Sequence, residues 1–228
     1  MKTKWNLSLL LPILLFGLAL AVSCTKDDNN DVPCAQISSS VVTEMRTVGD
    51  FQNILLEGIG TILLTQGPQQ PLRIETHREI LDRLDTRVVG EELQISLTGC
   101  INGQVDRLEI FVTIPEIRRI QVDGVGNVIA QNDFDLDDLN VELNGVGGIT
   151  LQGSSNLLEV LSAGVGDIHA FDMLTDTCII TIAGMGNVEV WAESLLDVTI
   201  SGAGNVYYRG NPMINLTVSG TGNLIDLN

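Results

Sequence analysis

Along the second half of the chain, apolar and polar residues alternate around a returning pair of glycines. The phrase reads Val122-Asp123-Gly124-Val125-Gly126-Asn127-Val128, and comes back at Leu143 to Ile149, Ser162 to Ile168, Ile182 to Val188, Ile200 to Val206 and Val218 to Leu224. Its first glycines, Gly124, Gly145, Gly164, Gly184, Gly202 and Gly220, fall 21, 19, 20, 18 and 18 residues apart. Four residues before them stand Ile120, Val141, Val160, Ile180, Val198 and Leu216; four after them stand Val128, Ile149, Ile168, Val188, Val206 and Leu224. Two before them the column runs Val122, Leu143, Ser162, Ile182, Ile200 and Val218, with Ser162 its one polar member. This is strand periodicity with one buried face on both sides of each glycine pair.

Each copy therefore predicts strand, corner, strand, the glycines supplying positive φ or room for close backbone approach. Copies that run in one direction with aligned columns stack parallel, about 4.8 Å apart. The predicted fold is all-β, a single-domain parallel β-helix with coils of 18–21 residues. A propeller would need about 40 to 50 residues per blade, and an antiparallel meander would mirror the pattern in alternate strands.

Between Val41 and Pro115 the repeat is interrupted while the alternation continues. Ile54, Leu56, Ile62 and Leu64 fit the columns around Gly58, which predicts a first coil there. Strands are expected at Leu72 to Glu75, around the Gly90 turn from Val88 to Leu97, and from Leu108 to Ile114, with a short helix over Arg78 to Leu84. The 66 residues from Gly58 to Gly124 are near three coils, so this region reads as irregular first coils of the same solenoid. The expected domain is 41–228, irregular over 41–115 and regular over 116–228.

Residues 1–23 read as a secretion signal: Lys2 and Lys4 precede an apolar run from Leu9 to Val22 that is short for a membrane span. Ala21-Val22-Ser23-Cys24 resembles a bacterial lipoprotein box, which makes Cys24 the lipidated first residue of the mature chain. Thr25-Lys26-Asp27-Asp28 resembles the export tag of Bacteroidetes lipoproteins. The resemblance implies anchoring at the outer membrane, with surface exposure open, and residues 24–40 form a flexible tether.

Charge narrows the partners. The chain carries 12 basic and 29 acidic residues, and loss of residues 1–23 removes two of the former and none of the latter, leaving a net of −19. Such a domain repels nucleic acid and anionic lipid. With Cys24 lipidated, Cys178 falls in a column held elsewhere by Leu139, Leu158, Leu196 and Ile214, and reads as a buried thiol. Cys34 and Cys100 remain as a candidate disulfide in an oxidising compartment, though spacing does not fix connectivity.

The residue after the second glycine is Asn127, Asn187, Asn205 or Asn223, with Gly148 and Asp167 as exceptions. Asparagines stacked in turns predict a hydrogen-bonded ladder. Calcium is the competing reading, but calcium rolls repeat their aspartates and here Asp167 stands alone. His77 and His169 have no companions at metal-ligand spacing, no catalytic constellation stands out, and neither a metal nor a cofactor is expected.

Positions five and seven past the corner glycine should face water. In three consecutive coils they are His169 and Phe171, Glu189 and Trp191, Tyr207 and Arg209, a candidate face for a glycan or protein ligand. The blander and weightier alternative is that they pack beneath the segments linking coils. The uncovered end of the stack near Asn228 invites self-association.

The run from Asp50 to Gly67, Leu93 to Leu97, Ile110 to Asn127 and the phrase Ser201-Gly-Ala-Gly-Asn-Val-Tyr-Tyr-Arg-Gly-Asn-Pro212 resemble the head GIN domain family, named for auto-transporter adhesins. The resemblance covers about residues 41–228. It implies a β-helical fold, no established enzymatic activity, and an adhesin-like binding module on the cell envelope. A glycan-processing or glycan-capturing β-helix and a purely structural envelope protein are the alternatives.

Overall fold

The computed structural model describes residues 34–37 and 40–228. Residues 1–23, expected to be a secretion signal, Cys24 and most of the expected tether lie outside the described residues. The first half holds β1 (Ala35–Gln36), β2 (Val41–Arg46), β3 (Asn53–Leu56), β4 (Ile59–Gln66), β5 (Leu72–His77), the one-turn helix α1 (Arg78–Leu81), β6 (Leu84–Val89), β7 (Glu92–Leu97), β8 (Ile101–Asn102) and β9 (Leu108–Ile114). Then come β10 (Arg119–Val122), β11 (Val125–Ala130), β12 (Phe134–Leu143), β13 (Val146–Ser162), β14 (Ile168–Ile182), β15 (Val188–Ile200), β16 (Val206–Arg209), β17 (Met213–Val218) and β18 (Leu224–Asp226).

The chain is a parallel β-solenoid, and the columns read from spacing are its ladders. Ile54, Ile120, Val141, Val160, Ile180, Val198 and Leu216 pair in succession, all in parallel. All but the last are at most 4% exposed. At about 1.5–3 kcal/mol for each buried aliphatic side chain, these columns are the main stabilising term of the fold. Each coil has three sides: the strand before the corner (side one), the strand after it (side two), and a return segment (side three). On side three, Asp135, Ser154 and Leu174 pair in turn.

At each corner two successive N–H groups share one carbonyl of the coil beneath. Ala183 and Gly184 both donate to Ser162 O, at 2.8 and 2.9 Å, and Ser201 and Gly202 do the same to Ile182 O. The sharing draws the first glycine onto the coil below, so that a Cβ on Gly184 would lie 2.0 Å from Gly164 O. Close approach rather than positive φ is thus what requires the first glycine. At Gly147, Gly166 and Gly186 the second glycine faces both demands: Gly186 has φ +144° and its Cβ would stand 1.9 Å from Gly166 O.

The asparagine ladder forms. Asp167 Oδ1 accepts from Asn187 N–H at 2.7 Å, Asn187 Oδ1 from Asn205 N–H at 3.0 Å, and Asn205 Oδ1 from Asn223 N–H at 3.0 Å. Asp167 takes the same acceptor place as the asparagines.

The N-terminal region departs from the expected order. Gly58 does not open the stack: β3 and β4 lie on top of β7 and β9, in parallel, and beneath β10 and β11. The chain makes the second coil first, descends to build the lowest one from β7 and β9, and climbs past its own start to β10. Below the lowest coil the strands turn antiparallel, β6 on β7, β5 on β9 and β2 on β5. The helix stops at Leu81, and Leu84 opens β6 instead of extending it. Ile80 and Leu81 close that end of the core. Arg46 fastens the closure, donating to Leu84 O at 2.6 Å and Leu81 O at 3.0 Å.

Part of the expected tether is docked. Cys34 and Cys100 are joined by a disulfide, and the short strand β1 pairs with β8 beside it.

Candidate binding surface

Side two runs across ten of the described strands, in the order β2-β5-β9-β4-β11, continued by the opening parts of β13, β14 and β15 and by β16 and β18. Its inward residues are buried, as with Ile168 and Ala170, or Val188 and Val190, so the intervening residues point outward by strand geometry. None of His169, Phe171, Glu189, Trp191, Tyr207 and Arg209 is buried: His169 is exposed and the other five are half-buried. All six thus stand on the outward-facing side of the sheet, and none of them belongs to the core.

His169, Glu189 and Tyr207 form one straight column, paired coil to coil. His169 Nδ1 lies 2.8 Å from Glu189 Oε2, and Tyr207 Oη accepts from Asn205 Nδ2 at 3.4 Å. The second column is broken. Trp191 pairs with Arg209 above it, but the register below jumps from Ala170 to Leu174, so Phe171 bulges outward with no strand partner. Phe171 is held instead by the Arg209 guanidinium, 4.3 Å from its ring centroid. Trp191 Nε1 donates to Glu193 Oε1 at 2.6 Å, leaving the ring at the junction of sides two and three.

The column extends further than spacing suggested. Arg73, Phe111, Leu63, Ile129 and Thr150 precede His169 in it, linked by register through β5, β9, β4, β11 and β13. Arg73 covers the Phe111 ring at 3.3 Å. From Arg73 to Tyr207 the column crosses eight strands, roughly 34 Å at about 4.8 Å each. The outward alternation of Phe111 in its strand was the available signal, but nothing in the sequence placed that strand beside Gly58.

Charge is unevenly spread along side two: on β5 and β9, Glu75 and Glu109 face outward beside Arg73 and Arg107. At positions five and seven past the corners from Gly58 to Gly202, Glu189 is the single carboxylate in a chain of net charge −17. Side three holds a shallow groove lined by Asp135, Asp137, Asp176 and Glu193. Where sides three and one meet, Glu116, Asp137, Asp138 and Glu159 surround a hollow of about 320 Å³ with Arg118.

The remaining chemistry-bearing residues lie elsewhere. His77 is buried at the end of β5 with Nε2 2.6 Å from Asp106 Oδ1, a hydrogen bond that holds the Asp106 carboxyl below its ordinary range. Cys178 is buried in the core against Thr175, and burial pushes its thiol up to about 11, leaving it neutral and unreactive. Among the described residues no group of three or more His, Cys, Asp or Glu is placed to hold a metal ion. No described helix is long and apolar enough to cross a membrane.

Several solved structures share the fold. One described as a putative adhesin from Bacteroides fragilis has 24% identity and a TM-score of 0.72, with 85% of this chain and 100% of that one covered. A protein of Parabacteroides distasonis, described as a putative lipid binding protein, has 21% identity and a TM-score of 0.56 over 86% of this chain and 100% of its own. A putative adhesin from Parabacteroides merdae has 19% identity and a TM-score of 0.53 over 85% and 99%. No curated protein matches. A family model described as "Putative auto-transporter adhesin, head GIN domain" matches residues 50–212, from the strand before the first glycine corner to the proline after Tyr208-Arg209, and the chain belongs to that family.

Proposed function

We propose that this protein is a lipid-anchored, non-enzymatic binding module of the cell envelope, adhesin-like, which holds an extended glycan or protein partner along side two. The observation that carries the reading is the outward column from Arg73 to Tyr207: a strip fixed by the sheet, bearing aromatic rings and, among its own eight members, the single carboxylate Glu189, on an otherwise strongly acidic body. Half-buried rings flanked by hydrogen-bonding groups offer apolar contact at little entropic cost, because the sheet fixes them before a ligand arrives. Lys2, Lys4, the apolar run and Cys24 support export and outer-membrane anchoring, as does membership of a family named for adhesins. The acidic hollows on the other sides disfavour nucleic acid and anionic lipid as partners.

Replacing Trp191 and Tyr207 together with alanine tests the reading. Binding on a glycan array, or adhesion of cells displaying the protein, should be lost while stability stays within about 1 kcal/mol of the parent, as for surface substitutions. Unchanged binding, or a collapse of stability, sinks the assignment. Glycan capture or processing is the second reading, favoured by Trp191 and Tyr207 standing beside Glu189 and His169, an arrangement suited to stacking and hydrogen-bonding a sugar ring. Turnover of an arrayed glycan would move the protein into that class. Silence toward every glycan and protein probe would leave a structural envelope role.

A further inference from the structure

The topmost coil differs from all those beneath it. β17 pairs on one edge alone, with β15, and β18 on one edge alone, with β16. Their inward residues continue the buried columns, Ile214 over Leu196, Leu216 over Val198 and Val218 over Ile200. The lower three are 0% exposed, whereas Ile214, Leu216 and Val218 are 42%, 48% and 44% exposed. The opposite end is closed by α1 and the antiparallel strands, so the core is open to water at one end of the described domain.

Two features identify what fits this end. From Gly210 to Asn228 the sequence has one charged side chain, Asp226, in a chain of net charge −17. Two copies of so acidic a molecule repel each other across most of their surface, and this coil is where that repulsion is weakest. The strand also complements itself. A strand paired with its own copy about a two-fold axis must run antiparallel. Centring that pair on Leu216 sets Ile214 opposite Val218 of the second copy and Leu216 opposite Leu216, so all three inward residues meet inward residues. A shift of one residue would set apolar against solvent-facing positions.

We propose that the open end of the solenoid is a two-fold interface between two copies of this chain, with β17 of each paired antiparallel about Leu216. The pairing satisfies the free edge of β17 and joins the two cores across it. It leaves side two of both copies uncovered, so it does not rest on the function proposed above.

Sedimentation of the full chain in mild detergent should show a dimer that dissociates on dilution, and Leu216→Glu should halve the sedimenting mass while keeping the β-sheet circular dichroism. Should Leu216→Glu fail to fold, Leu216→Cys decides the matter. Directly opposite residues in an antiparallel pair have Cβ atoms about 4.5–5.5 Å apart, so mild oxidation should give a covalent dimer. Thr181→Cys, on the outer face of β14, should give none. The native cysteines of the described domain do not interfere, since Cys34 is bonded to Cys100 and Cys178 is buried. A monomer at every concentration, assemblies larger than two, or equal cross-linking of both cysteine variants overturns the proposal.

Discussion

From Arg119 onward each strand meets a partner about twenty residues away running the same way, while between Val41 and Ile114 the connections range from the tight β6–β7 hairpin to long excursions and several pairs run in opposite directions. The regular part is held by repetition: one column, one corner and one ladder, copied. The N-terminal part is held by particular devices, each used once, among them Arg46, α1, the His77–Asp106 contact and the disulfide. A fault in a copied element propagates because the next coil is built on it. A fault in a singular device stays local.

Two glycines sharpen the contrast most. Gly184→Ala places a Cβ 2.0 Å from a backbone carbonyl that cannot retreat without breaking the corner beneath. We expect a loss beyond about 4 kcal/mol, the range of core disruption, read by denaturant unfolding. Gly90, in the β6–β7 turn, has φ +65° and nothing within 4 Å of a Cβ; Gly90→Ala should cost about 1–2 kcal/mol, from left-handed backbone alone. Equal losses would erase the distinction between copied and singular elements.

The disulfide comes next. Replacing Cys34 and Cys100 with serine removes a cross-link spanning 66 residues, worth up to about 4 kcal/mol by loop entropy. The fall should appear as early unfolding of the N-terminal part in hydrogen exchange, with protection of β13 to β15 unchanged. Uniform loss of protection would mean the two regions unfold as one unit. The smallest effect has the opposite sign. Ser162 is wholly buried in an aliphatic column and its hydroxyl has no hydrogen-bond partner. Ser162→Ala should therefore raise stability by about 1 kcal/mol, seen as a higher midpoint of denaturation at unchanged slope.

The same contrast governs what the sequence could reveal. The columns from Ile120 to Leu216 were legible because every member repeats at a near-fixed interval and alternation marks the buried face. The lowest coil was not. Leu93 and Ile95 sit squarely beneath Ile54 and Leu56, and Ile95 O takes two N–H groups like any other corner carbonyl. No glycine pair follows them, since a corner needs glycine only where another corner lies below, and here none does. Without that mark the order of coils is not legible, and Gly58 reads as the beginning. The candidate surface was half legible for the same reason: His169, Glu189 and Tyr207 follow the repeat, whereas the Phe171 bulge comes from a change in coil length, and Arg73 and Phe111 belong to the singular part.

The bond between Cys34 and Cys100 also decides how the molecule would answer a pull. Tension arriving at Cys34 crosses directly to Cys100 and reaches β9, a strand hydrogen-bonded on both edges, so everything from Ala35 to Gly99 is bypassed. Shearing such an interior strand means rupturing many contacts together. With the thiols reduced, the same tension would strip the two-residue β1 from β8 and run on to β2, which is paired on one edge and can unzip a residue at a time. The redox state of one cysteine pair would thus choose between a stiff grip and a slack one.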